Sequence, residues 1–156
     1  MPNILLIRGP LGVGKSTVAK AVADKLDASY VSIDGVLEEL GLDTADENGI
    51  PLENFLAANA HVIERLKSDV TAVIDGNFYH KEQVDDFVAR FGDAVRIVTL
   101  KAPVDVCIER DKARERSYGE DAARAVHSMV SSFDAGAVVD TDNKTEDEVV
   151  IEILRL

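Results

Sequence analysis

The sequence predicts a three-layer α/β fold, a five-stranded parallel sheet with helices on both faces. Two observations predict it. Five short apolar blocks of three to six residues recur along the 156-residue chain, and the segments between them carry helical periodicity. The first block, Ile4–Ile7, is a continuous apolar run, as a strand buried on both faces requires. Strands that alternate with helices in this way form a parallel sheet with helical cover.

In chain order, Ile4-Leu5-Leu6-Ile7 marks strand one, at about residues 3–8, and helix one follows at about 15–27 with Val18, Val22 and Leu26 on one stripe. Tyr30-Val31-Ser32-Ile33 reads as strand two, ending at Asp34-Gly35. A short helix through Val36–Leu40 precedes an acidic, turn-rich stretch, Asp43–Gly49. Pro51 opens a helix on which Phe55, Leu56, Asn59, Val62, Ile63 and Leu66 share a face, with Asn59 the polar exception. Thr71–Ile74 is strand three, ending at Asp75-Gly76-Asn77, and Lys81–Phe91 is helical. Val95–Leu100 is strand four. Pro103 opens a helix that continues into the charged run Glu109–Arg116, Tyr118-Gly119 breaks it, and Asp121–Phe133 is helical again. Ala137–Val139 is strand five and Glu146–Leu154 the closing helix. No repeat, low-complexity segment or linker interrupts this pattern, so residues 1–156 are expected to form one domain.

Composition narrows the function. With 46% hydrophobic residues the chain can build a core. No apolar run approaches the roughly 20 residues of a membrane span, and no signal peptide is expected at the strand-like start. The single cysteine, Cys107, excludes an internal disulfide framework and fits a reducing cytoplasm. Seventeen basic against 29 acidic residues give a net charge of −12, the wrong sign for a sequence-independent grip on nucleic acid.

The stretch Gly9-Pro10-Leu11-Gly12-Val13-Gly14-Lys15-Ser16, followed by Thr17, matches G-x-x-x-x-G-K-[ST] between a strand and a helix. Glycines let backbone N–H groups wrap an anion, and the helix directs its positive end at the same point. Lys15 is expected on the β- and γ-phosphates, Ser16 on Mg²⁺, and Thr17 near the α-phosphate. The loop therefore implies ATP or another nucleoside triphosphate with Mg²⁺.

Ligands in parallel sheets bind beyond the carboxyl ends of the strands. That rule selects Asp34, Asp75 and Asn77 beside the loop. Asp34 reads either as a turn or cap residue or as the carboxylate that takes the proton of an attacking hydroxyl. Asp75 reads as turn chemistry or as the acid that orders Mg²⁺, and Asn77 as a turn residue or a substrate contact. The run Arg110–Arg116 puts four of the 17 basic residues into seven positions, with Arg110 and Arg114 on one helix face. It reads as a solvated, ion-paired helix or as a lid over about residues 110–121 that closes guanidinium groups over the triphosphate. His61 reads as a surface residue and Cys107 as core. His80 and His127 lack metal-ligand spacing.

Together these residues resemble the small P-loop kinases of the nucleotide-kinase-like group. The resemblance rests on Gly9–Thr17, Ile33-Asp34-Gly35, Val73-Ile74-Asp75-Gly76-Asn77 and the segment Ala102–Arg114 with its R-x-x-x-R spacing. Within that group the chain is similar to the branch of polynucleotide kinase, chloramphenicol phosphotransferase, zeta toxins and adenylylsulfate kinase. The resemblance implies the P-loop fold with strand order 2-3-1-4-5, ATP as donor, Asp34 as hydroxyl-activating residue and Arg110 and Arg114 as lid arginines. It also implies that Val139–Thr145 flanks the adenine. The segment at about 36–68 is where an acceptor would bind.

The first expectation is an ATP-dependent kinase for the hydroxyl of a small molecule. The second makes the acceptor a nucleoside, a nucleotide or a 5′-hydroxyl nucleic-acid end. The third, of a different class, is a nucleotide switch that binds and hydrolyses ATP without an acceptor.

Overall fold

A computed structural model describes residues 3–66, 70–115 and 117–156. Strands β1 (Asn3–Arg8), β2 (Ser29–Ser32), β3 (Thr71–Gly76), β4 (Val95–Lys101) and β5 (Ala137–Asp140) form one sheet in the order β2-β3-β1-β4-β5, and every neighbouring pair is parallel. The helices are α1 (Lys15–Leu26), α2 (Ile33–Leu40), α3 (Leu52–Arg65), α4 (Lys81–Phe91), α5 (Val104–Lys112), α6 (Glu120–Ser131) and α7 (Glu146–Leu154). No helix among the described residues is long and apolar enough to cross a membrane.

The apolar blocks become two-faced strands because successive side chains point to opposite sides. Ile4, Leu6, Ala72 and Ile74 pack against Leu37, Phe55, Phe87 and Val130, which brings α2, α3, α4 and α6 onto one face. Ile7, Val73, Val98 and Val139 pack against Val18, Val22, Cys107 and Ile153, which places α1, α5 and α7 on the other. The predicted stripe of α1 holds at Val18 and Val22, but Leu26 is 43% exposed at the helix end.

Two expected boundaries move, each for a local reason. Strand two ends earlier than expected, and Asp34 and Gly35 lie in the first turn of α2. The Ser32 side chain accepts the Gly35 N–H at 3.1 Å and caps the helix there. The helix expected to run through Glu109–Arg116 stops at Lys112. Buried Asp111 turns inward and accepts the Ser117 hydroxyl at 2.8 Å and the Gly119 N–H at 3.1 Å, folding the chain back on itself. Arg110 and Arg114 therefore do not share a helix face. Arg116 of that run, and residues 67 and 68 of the expected acceptor segment, lie outside the described residues.

Arg8, at the end of β1, ties the sheet to its surroundings. Its fully buried guanidinium donates to the carbonyls of Phe78 (2.9 Å), Val130 (2.6 Å) and Phe133 (3.2 Å) and to the Thr99 hydroxyl (3.2 Å). It also lies 4.0 Å from the Phe133 ring centroid. Burial lowers its pKa to about 10. Asn59, the polar residue on the apolar face of α3, is satisfied by α4: its amide donates to the Gln83 carbonyl at 3.1 Å and to Asp86 at 2.9 Å.

Candidate active site

The Gly9–Thr17 loop joins β1 to α1 at the carboxyl end of the sheet, where strand ends leave room for a ligand. Gly12 and Gly14 have φ of +80° and +94°, a region that only glycine enters without strain. Gly12 is further constrained by packing, since a Cβ there would sit 2.1 Å from the Cys107 carbonyl oxygen of α5. Gly14 caps α1 without any side-chain hydrogen bond, so the first-turn N–H groups remain available to an anion. The Lys15 ammonium is buried and donates to the Pro10 carbonyl across the loop at 3.4 Å. Burial lowers its pKa, while Asp34 and Asp75 act in the opposite direction. Ser16 and Thr17 are exposed on the first turn of α1.

Asp75 is 1% exposed at the end of β3. Burial raises its pKa, against a hydrogen bond from Tyr30, the charge of Lys15 and a hydrogen bond from Ser16. Tyr30 on β2 donates its hydroxyl directly to Asp75 Oδ2. This tyrosine had no motif to mark it; its signal was only its position on the strand beside β3, where Tyr30 pairs with Val73. A hydroxyl and a single carboxylate are hard oxygen donors that suit Mg²⁺ when substrate phosphates complete the shell. No cluster of three or more His, Cys, Asp or Glu ligands occurs among the described residues, as a dedicated protein cage would need.

Asp34 is half-buried on the first turn of α2, within electrostatic range of both Lys15 and Asp75. Asn77 follows β3, is 7% exposed, and its Oδ1 is buried without a hydrogen-bond partner. The strand end and α2 meet closely, because a Cβ on Gly76 would lie 3.2 Å from Ile33 Cβ. Beyond this contact the 41–51 connection docks on the segment after Asn77. The Ile50 N–H donates to the Tyr79 hydroxyl at 2.8 Å, and His80 Nε2 lies 2.8 Å from the Ile50 carbonyl.

Lys15, Ser16, Asp34 and Asp75 therefore gather at one end of the sheet, with Asn77 at its margin. Arg110 reaches the same loop from the other side. Its guanidinium donates to the Val13 carbonyl (3.2 Å), the Thr141 hydroxyl (3.0 Å) and the Thr141 carbonyl (3.2 Å), so it braces the phosphate loop against the connection after β5. Arg114 lies past the end of α5, 5.3 Å from the Tyr118 ring centroid. His61 is half-buried 4.0 Å from Glu39, and Cys107 is buried, with its thiol pKa raised by that burial. Two cavities of about 240 and 360 Å³ lie away from the phosphate loop and include none of its residues.

Residues 4–135 match the model of an AAA domain family, AAA_33. The chain is 31% identical over 163 residues to a Pyrococcus furiosus protein named "Putative adenylate kinase", covering 98% of this chain and 83% of that one. It is 28% identical to a cytidylate kinase from Sulfurisphaera tokodaii, covering 94% and 90% of the two chains. Among solved structures, a gluconokinase from Sinorhizobium meliloti superposes with a TM-score of 0.74 at 18% identity, over 99% of this chain and 90% of that one. Relatives of this kind phosphorylate small molecules, and the chain belongs to the AAA_33 family as a P-loop kinase.

Proposed function

We propose that the chain transfers the γ-phosphoryl group of Mg·ATP to a hydroxyl of a small-molecule acceptor. The observation that carries this reading is the placement of Asp34: a half-buried carboxylate within electrostatic range of Lys15. The residues then divide the work. Gly9, Gly12, Val13 and Gly14 supply the loop that cradles the phosphates, and Lys15 neutralises the β- and γ-phosphates. Thr17 lies near the α-phosphate. Ser16 and Asp75 would hold Mg²⁺, which would neutralise charge on the phosphates. Asp34 orients the acceptor hydroxyl and accepts its proton. Asn77 contacts the acceptor, which lies between Asp34 and the segment at about 36–68. Arg114 stabilises the transferring phosphoryl from the 110–121 lid, and Arg110 flanks the donor.

The test offers the protein Mg·ATP with nucleosides, nucleotides, sugars, amino alcohols and 5′-hydroxyl oligonucleotides, and follows ADP release. Release raised by an acceptor and lost in both Lys15→Ala and Asp34→Asn is expected. Release that no acceptor raises, lost with Lys15 but kept with Asp34→Asn, would replace this reading with an ATP-hydrolysing switch. A nucleotide acceptor is the second reading, favoured by the names of the Pyrococcus and Sulfurisphaera relatives. Oligonucleotides are disfavoured by the net charge of −12.

A further inference from the structure

The acceptor side of the site has a charge pattern that bears on what it takes. Between Lys25 and Arg65 the chain holds no lysine or arginine, while Glu38, Glu39, Asp43, Asp46 and Glu47 fall within ten positions. Arg65 itself is spent on Glu39, at 2.7 Å. On the opposite wall His80 is engaged with the Ile50 carbonyl at 2.8 Å, and Lys81 with Asp85 at 2.7 Å. Among the described residues, the cations of these two walls are thus engaged, and the charges near Asp34 that remain, Lys15 and Arg114, belong to the phosphate-loop side. Two carboxylates, Asp34 and Asp46, lie within electrostatic range of the Tyr79 hydroxyl beside the gap at Asp34. Asp46 and Gly49 exchange main-chain hydrogen bonds at 3.1 and 3.0 Å, and this turn packs on Tyr79, since a Cβ on Gly49 would lie 3.0 Å from its hydroxyl. Burial raises the Tyr79 pKa against the Ile50 N–H, and Asp34 and Asp46 raise it further.

A phosphate or carboxylate on the acceptor would meet the like charges of Asp34 and Asp46 on this side, at a cost that selects against it. A second feature points to a ligand of the opposite kind. Asn77 is more than nine-tenths buried at the end of β3, and its Oδ1 has no donor within the protein. A carbonyl acceptor left unmatched in this way is satisfied by an N–H or O–H that a ligand brings.

We propose that the acceptor is an amine-bearing alcohol, an amino alcohol or amino sugar, whose ammonium lies on the Asp46 side of the gap and whose hydroxyl is presented to Asp34. This rests on the kinase reading. In the step, the hydroxyl oxygen forms a bond to the γ-phosphorus and its proton passes to Asp34. The bond from that phosphorus to the β,γ-bridging oxygen breaks, and its electron pair leaves with ADP. Charge at Asp46 selects the acceptor and takes no part in the transfer.

The experiment compares matched compounds with the full chain and Mg·ATP. Amino alcohols and amino sugars are set against their hydroxyl-only, N-acetylated, carboxylated and phosphorylated counterparts, and adenosine against AMP. The expected result is a kcat/KM at least about tenfold higher for the amine than for its uncharged counterparts, with the anionic members slowest. In Asp46→Asn, which keeps an oxygen for the Asn48 N–H it now receives at 2.7 Å, KM for the amine should rise about fivefold with kcat unchanged. Fastest transfer to AMP or to a carboxylated compound would overturn the inference and leave the kinase reading standing. Equal rates for an amine and its N-acetyl form, or an unmoved KM in Asp46→Asn, would also overturn it. ADP release that no compound raises would remove the kinase reading and the inference with it.

Discussion

The two halves of the site are built by different means. The donor half, Gly9–Thr17 with α5 behind it, is made of backbone. Its glycines hold positive φ, Gly12 abuts a main-chain carbonyl, and its cations Lys15 and Arg110 donate to main-chain oxygens. The proposed acceptor half, from α2 through the 41–51 connection to Tyr79 and His80, is closed by the Tyr79 and His80 side chains on the Ile50 main chain and carries carboxylates. A backbone cradle binds any triphosphate in one geometry and leaves little to vary. A side-chain wall can change its charge and shape without moving the sheet. The comparison explains how relatives named for different small molecules share one fold while the acceptor remains a matter of local chemistry.

Substitutions can break each half separately. Among substitutions confined to one half, the largest effect is expected at Arg114, where Arg114→Ala should slow phosphoryl transfer by about 10³-fold while leaving ATP affinity within a few-fold. Single-turnover rates and nucleotide titration separate the two. An unchanged rate would return this residue to the solvated surface.

On the packing of the donor half, Gly12→Ala should cost about 3 kcal/mol, because the new Cβ meets the Cys107 carbonyl at 2.1 Å on a backbone of positive φ. For a chain of this length that is a drop of roughly 6–12 °C in Tm. A Tm within about 2 °C of the parent would contradict the close approach of loop and α5.

At the seam between the halves, Tyr30→Phe should remove the hydroxyl that holds Asp75 and lower kcat by about tenfold, with ATP affinity little changed. The smallest effect is one of stability. Burial raises the Asp75 pKa, so between its ordinary value and the raised one the folded chain holds more protons than the unfolded chain. Stability is then greatest below the ordinary carboxylate range and falls as pH rises through that window. Asp75→Asn removes the term. Without nucleotide or divalent cation it should be more stable than the parent at pH 7, with the gap closing toward pH 4. A parent more stable than Asp75→Asn at pH 7 would show that the ionised carboxylate is held favourably.

Much of the donor half was legible in the sequence, because its chemistry is local: three glycines, a lysine and a hydroxyl in one run between a strand and a helix. Asp34, Asp75 and Asn77 were selected by the rule that ligands sit at strand carboxyl ends, and Asp34 and Asp75 lie within electrostatic range of Lys15 there. The contacts that organise these residues were not legible. Arg8 reads as the tail of an apolar strand, yet it joins carbonyls 70 to 125 positions away in the chain. Tyr30 meets Asp75 only because β2 and β3 pair. The run Glu109–Arg116 has helical periodicity throughout, and what stops the helix is the burial of one side chain, Asp111, which spacing alone does not signal.

The central claim is that Asp34 joins the two halves by accepting the proton of the acceptor hydroxyl. The direct measurement is the single-turnover rate of phosphoryl transfer in Asp34→Asn, alongside its affinity for ATP. The account predicts ATP affinity within about twofold of the parent and transfer slower by about 10²–10⁴-fold, the range of general base catalysis. Transfer at the parental rate, or a loss carried wholly by weaker ATP binding, would contradict it.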